Sequence, residues 1–82
     1  MSLNTETFEK KLKDNKVVLV DFWAAWCGPC RMLGPVMDDV ENLFPNNVAK
    51  VNVDEERELA NKYGIRSLPT VVFFKNGEVM ER

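Results

Sequence analysis

The chain has 82 residues, 45% of them apolar and 29% charged, with 11 lysines and arginines against 13 aspartates and glutamates. That length supports one domain over residues 1–82 with a modest core, and no run approaches the ~18 to 20 apolar residues of a membrane span. A formal charge of −2 leaves no electrostatic footprint for nucleic acid, and Lys10-Lys11-Leu12-Lys13, flanked by Glu9 and Asp14, reads as a solvated helix face.

The opening Met1-Ser2-Leu3-Asn4-Thr5-Glu6 carries neither the basic nor the apolar region of a secretory signal, so the expectation is a cytoplasmic protein. Asn4 or Thr5 can cap a helix predicted over about 5 to 14, with Glu6 at its positive end and Phe8 and Leu12 forming one apolar stripe. Lys16-Val17-Val18-Leu19-Val20-Asp21-Phe22-Trp23 is an almost unbroken β-branched and aromatic run, the pattern of a central strand covered on both faces. A second helix follows to about Leu43, with Leu33, Val36, Met37, Val40 and Leu43 as its core-facing stripe; Pro35, lacking an N–H, should bend it about one turn past Cys30.

Val48-Ala49-Lys50-Val51-Asn52-Val53 reads as a strand, so strand, helix and strand form a βαβ unit with a parallel pair. Asp54 is expected to cap a short helix that carries Glu55 and Glu56 in its first turn and buries Leu59, Ala60 and Tyr63, with Gly64 ending it. Thr70-Val71-Val72-Phe73-Phe74-Lys75 is a further buried strand, and Asn76-Gly77 signals a hairpin returning through Glu78-Val79-Met80-Glu81-Arg82.

The chemistry-bearing stretch is Trp26-Cys27-Gly28-Pro29-Cys30, which holds both cysteines at the junction between strand and helix. Three residues of helix are close to one turn, so the sulfurs share a side, and the resulting Cα separation of roughly 5 to 6 Å allows a disulfide. Cys27, at the helix start, meets unsatisfied N–H groups and the positive dipole end, which favour its thiolate; Cys30, one turn further in, would act second on a mixed disulfide. Gly28 and Pro29 fill the first turn, where a proline loses no hydrogen bond, and are expected to leave the sulfurs exposed. Metal ligation and structural burial are the competing readings of such a pair. A structural zinc needs four ligands, and with two cysteines and no histidine a complete metal or cluster site would need two chains.

Val20-Asp21-Phe22-Trp23-Ala24-Ala25-Trp26-Cys27-Gly28-Pro29-Cys30-Arg31-Met32, with Pro35, Lys50-Val51-Asn52-Val53-Asp54, Ile65-Arg66-Ser67-Leu68-Pro69-Thr70 and Phe74-Lys75-Asn76-Gly77, resembles the thioredoxin family over nearly the whole chain. The resemblance implies an α/β fold with a central mixed sheet flanked by helices, a βαβ unit followed by a β-hairpin. It further implies a general protein-disulfide oxidoreductase in which Cys27 attacks and Cys30 resolves. No metal and no cofactor beyond the Cys27–Cys30 bridge is implied; disulfide-containing proteins would be substrates, and a thioredoxin reductase would supply electrons. Asp21 would lie beneath the cysteines and take the proton of Cys30, with Lys50 near that carboxylate. Pro69 would follow a cis bond and face the cysteines, while Trp26, Gly28, Pro29 and Leu68 would border the substrate. An alternative within the same fold is a binding module that holds a partner without turnover.

Against the family pattern the chain is shortened at both ends. Met1 to Asn4 could supply only a trace of a first strand, and the final amphipathic helix is missing, which is expected to uncover apolar surface around Val71 and Phe73. Either a shortened form of limited stability or self-association through that face follows.

Overall fold

The computed structural model describes residues 4–82, and the chain runs α1 (Thr5–Asp14), β1 (Val17–Trp23), α2 (Gly28–Leu43), β2 (Val48–Asn52), α3 (Arg57–Lys62), β3 (Thr70–Lys75) and β4 (Glu78–Glu81). The trace of a first strand expected before Asn4 lies outside the described residues. Asn4 instead caps α1. Its Oδ1 accepts the Thr7 N–H at 2.9 Å while the Thr7 Oγ1 accepts the Asn4 N–H at 3.0 Å, a reciprocal box that fixes the helix start.

One four-stranded sheet has the order β2-β1-β3-β4, with β1 parallel to β2 and antiparallel to β3, and β4 antiparallel to β3. The expected parallel βαβ unit and the terminal hairpin are both present. Asn76 and Gly77 turn the hairpin with φ of 53° and 79°, the left-handed pair that a tight two-residue connection requires. Gly64, at φ 63°, ends the α3 segment, and the Ile65 N–H returns to the Ala60 carbonyl at 2.9 Å.

Strand alternation divides the side chains between two faces. On one, Val18, Val20 and Phe22 of β1 join Ala49, Val51, Val72 and Phe74 and close against Phe8 and Leu12 of α1 and Leu59 of α3. Phe8, Tyr63 and Phe74 meet edge to face with centroids 5.2 to 5.7 Å apart, which ties α1 and the end of α3 to β3. On the other face α2 stands alone among the described residues, and the central strand is not fully buried on both sides as its composition suggested: Val17, Leu19 and Trp23 remain half-buried.

The apolar surface expected around β3 is uncovered only in part, since Val71 and Phe73 are half-buried. Phe73 instead borders an open groove with Val17, Leu19, Val40, Phe44 and Val48. Of the α2 stripe, Met37 is buried and Leu33 and Val40 partly so, but Val36 and Leu43 are exposed, Leu43 to 74%. One helix covers less of the sheet than its own apolar arc could fill, so the outer members of the arc face solvent.

The third helix also starts later than expected, at Arg57 rather than after Asp54. Asn52 is the reason: its Oδ1 accepts the N–H groups of Asp54 at 2.9 Å and Glu55 at 3.4 Å, winding residues 53–56 into a separate turn. Among the described residues no helix is long and apolar enough to cross a membrane.

Candidate redox site

The parallel pairing of β1 and β2 and the helix that joins them gather the chemically active residues at the end of the central strand. After Trp23 the chain leaves the sheet through Ala24 and Ala25 and enters α2 at Gly28, with Cys27 as N-cap residue. Pro29 sits in the first turn, where it displaces no hydrogen bond. The Cys27 sulfur accepts the Cys30 N–H at 3.1 Å, so a backbone group that would otherwise lack a partner is directed at the sulfur.

Cys27 and Cys30 are joined in a disulfide with their Cα atoms 5.2 Å apart. Both residues are buried, 4% and 5% exposed, so the expectation of exposed sulfurs is corrected. Gly28 and Pro29 are indeed open to solvent, but the bridge itself settles against Ala24, Trp23, Val53 and Leu68. What a partner first meets is the rim.

That rim is built from three segments. Trp26 is 67% exposed and its indole Nε1–H donates to Asp54 Oδ2 at 2.9 Å, which fixes a large ring beside the sulfurs. Opposite it, the Leu68–Pro69 bond is cis, the geometry the resemblance implied, and the Thr70 hydroxyl donates to the Ser67 carbonyl at 2.6 Å within the same loop. Trp26, Val53, Ile65, Arg66, Ser67 and Leu68 line a shallow groove of about 240 Å³ between these segments. On the far side of Trp26 the Arg31 guanidinium spans the turn to donate to the Ala25 carbonyl at 3.1 Å.

Beneath the bridge lies a cavity of about 210 Å³, bordered by Asp21, Trp23, Ala24, Cys30, Gly34 and Lys50 among others. Asp21 is 3% exposed, and its Oδ1 has no hydrogen-bond partner. Burial pushes the carboxyl above its ordinary range, and the Lys50 ammonium works in the opposite direction with smaller effect. Lys50 is the residue paired with Asp21 across the parallel strands, so both side chains rise from the same sheet face. Its ammonium is ion-paired to Asp38, on α2. Pro35 lies inside α2, which continues through it to Leu43, and is exposed.

The structure therefore brings Cys27, Cys30, Asp21 and Lys50 to one place, surrounds them with Trp26, Gly28, Pro29 and Leu68, and sets Pro69 directly after Leu68 in the facing loop. Neither Asp54 nor Asp38 was read from the sequence as a site residue. Asp54 had a sufficient local explanation as a cap, and Asp38 lies on the solvent side of the α2 pattern; only three-dimensional proximity reveals their partners.

The two thiols are bonded to one another, and among the described residues no group of three or more His, Cys, Asp or Glu side chains gathers around a possible metal position. Neither observation favours a shared metal or cluster site. The arrangement can exchange electrons through sulfur: a bridge that opens to two thiols, an amide directed at one of them, and a carboxyl of raised proton affinity below.

Comparison with known proteins gives the same answer. The family model described as "Thioredoxin" matches residues 1–82. A thioredoxin of Alicyclobacillus acidocaldarius is 44% identical over 84 residues, an alignment spanning 100% of this chain and 80% of that protein. A thioredoxin of Rickettsia bellii is 49% identical over 80 residues, covering 94% of this chain and 76% of the relative. Among solved structures, Plasmodium falciparum thioredoxin superimposes with a TM-score of 0.89 at 34% identity, over 95% of this chain and 78% of that one. With the fold, the bridged cysteine pair and these likenesses in agreement, the chain belongs to the thioredoxin family and has the constitution of a thiol–disulfide oxidoreductase.

Proposed function

We propose that the protein reduces disulfides in other proteins by dithiol–disulfide exchange, Cys27 attacking and Cys30 resolving. The observation that carries the reading is the position of Cys27 as helix N-cap, with its sulfur held by the Cys30 N–H and bridged to Cys30. In the reduced form the Cys27 thiolate attacks one sulfur of a substrate disulfide and expels the other as a thiolate, leaving a mixed disulfide. Cys30 then loses its proton to the Asp21 carboxylate and attacks the Cys27 sulfur. The second substrate thiolate departs, the substrate has gained two electrons, and the Cys27–Cys30 bridge is restored.

The rim supplies recognition. Trp26 and Leu68 offer apolar surface on either side of the sulfurs, Gly28 and Pro29 leave space above them, and the main chain of the residue before Pro69 would pair with an incoming chain in an extended pose. Lys50 acts below as the charge neighbour of Asp21, and Pro35 shapes α2 behind the cysteines. No cofactor enters the reading, because the bridge is the electron carrier. A thioredoxin reductase would return it to the dithiol, which places the activity in a reducing compartment such as the cytoplasm.

Insulin reduction in the presence of dithiothreitol tests the proposal. Turbidity should develop faster than with the reagent alone, and Cys30→Ser should accumulate mixed disulfides through Cys27. A rate equal to the reagent blank would reject turnover and leave a binding module.

A further inference from the structure

Among the described residues Lys50 is the cation paired across the sheet with the buried carboxylate, and it has two possible anionic partners. Its ammonium, on a side chain only 19% exposed, is committed to Asp38, a residue of α2 that is itself 59% exposed. Asp21 lines the same cavity as Lys50, and its buried Oδ1 is left without a hydrogen bond. Resting on the exchange mechanism proposed above, we propose that Asp38 is a positioning residue: its carboxylate holds the Lys50 ammonium at the helix side of the cavity and so limits the charge compensation that Asp21 receives.

The physical argument is a competition between two carboxylates for one ammonium. An opposite charge a few ångströms away favours the ionised form of an acid, and the favour diminishes when that charge is turned aside and partly neutralised by another anion. The groups that face Asp21 are few. From β2 there is Lys50, from α2 there are Arg31 and Cys30 at the cavity wall, and β3 presents Val71 at the paired position, which carries no charge. Arg31 is already engaged with the Ala25 carbonyl. Lys50 is therefore the adjustable charge, and Asp38 decides where it stands. An Asp21 whose carboxylate lacks compensation is a stronger base toward the Cys30 proton, so this exposed helix residue, without touching the sulfurs, sets the pH at which Cys30 can resolve a mixed disulfide.

The test is the titration of the Asp21 side-chain carboxyl carbon by NMR in the oxidised protein, where the cysteines do not titrate. Asp38→Asn should lower the Asp21 midpoint by about one pH unit, the low end of the effect of one opposite charge nearby. Asp38→Glu should restore it, and Lys50→Gln should raise it. In the Lys50→Gln background, Asp38→Asn should produce no further change. An unchanged or raised midpoint in Asp38→Asn, or the same fall with Lys50 absent, would overturn the proposal. Because this readout requires no substrate, a failed insulin assay with the expected titrations removes the exchange mechanism alone, and unchanged titrations in a protein that reduces insulin remove the role of Asp38 alone.

Discussion

The indole of Trp26 donates its Nε1–H to Asp54 Oδ2 at 2.9 Å, joining the residue before the cysteine pair to the turn that follows β2. A large aromatic side chain two-thirds exposed would otherwise sample several rotamers; the carboxylate selects one and sets the width of the groove toward Leu68.

Asp54→Ala should therefore weaken substrate recognition more than chemistry. A net hydrogen-bond contribution of ~1 kcal/mol corresponds to about a fivefold factor, expected as a higher KM for insulin with kcat nearly unchanged. Steady-state kinetics check the division, and faster depolarisation of Trp26 fluorescence in a Trp23→Phe background reports the loosened ring. Equal KM values in variant and parent would mean that the pair serves folding of the turn and not the groove.

How the sequence disclosed some of this and not the rest follows from distance along the chain. The Cys27–Cys30 bridge, the Asn76-Gly77 turn and the stop at Gly64 are decided within a few residues, so spacing and residue type suffice. The parallel pairing of β1 and β2 was also legible, because a buried strand joined through a helix to another strand leaves it as the natural solution. Trp26–Asp54 spans 28 positions and Lys50–Asp38 spans 12, and each member has an adequate local explanation. Val36 and Leu43 failed for a different reason. Periodicity shows which arc of α2 is apolar, but the breadth of sheet available to cover that arc is a property of the packed layers.

Asp21→Asn should make the protein more stable at neutral pH. Burial raises the folded-state pKa above the ordinary value of 3.8, and Lys50 only partly opposes it, so the folded protein holds this proton more tightly than the unfolded chain. The stabilising contribution of the protonated group is complete below pH 3.8 and is lost as pH rises through the folded-state value. Urea denaturation followed across pH should show the variant's advantage at pH 7 shrinking as the solution is acidified toward 3.8. A constant difference at every pH would assign the effect to packing instead of ionisation.

Phe8→Ala should be severely destabilising. Phe8 is fully buried and meets both Tyr63 and Phe74, so it ties α1 to the end of α3 and to β3. Truncating such a residue costs about 3–5 kcal/mol, a large part of the 5–15 kcal/mol total stability typical of a domain. The urea midpoint should fall by at least about a fifth of its parental value, while Phe8→Leu, which keeps most of the volume, should lose less than half as much. A small effect of the alanine variant would show that α1 contributes little to the cooperative unit.

Once the bridge is reduced, Cys27 should be alkylated before Cys30 and faster than an unstructured peptide thiol. The directed Cys30 N–H and the helix N-terminus stabilise negative charge at the Cys27 sulfur by on the order of 1 kcal/mol, which multiplies the thiolate population about fivefold. A more stable thiolate is also a weaker nucleophile, with a sensitivity of about 0.4–0.5, so roughly half of that advantage on a logarithmic scale survives in the rate. The expected acceleration is about two- to threefold at pH 7 and should decline above pH 9, where any thiol is largely ionised. Iodoacetamide kinetics with peptide mapping measure both rate and order. Labelling of Cys30 first, or a rate equal to that of the peptide thiol, would overturn the assignment of Cys27 as the nucleophile and undo the exchange mechanism at its first step.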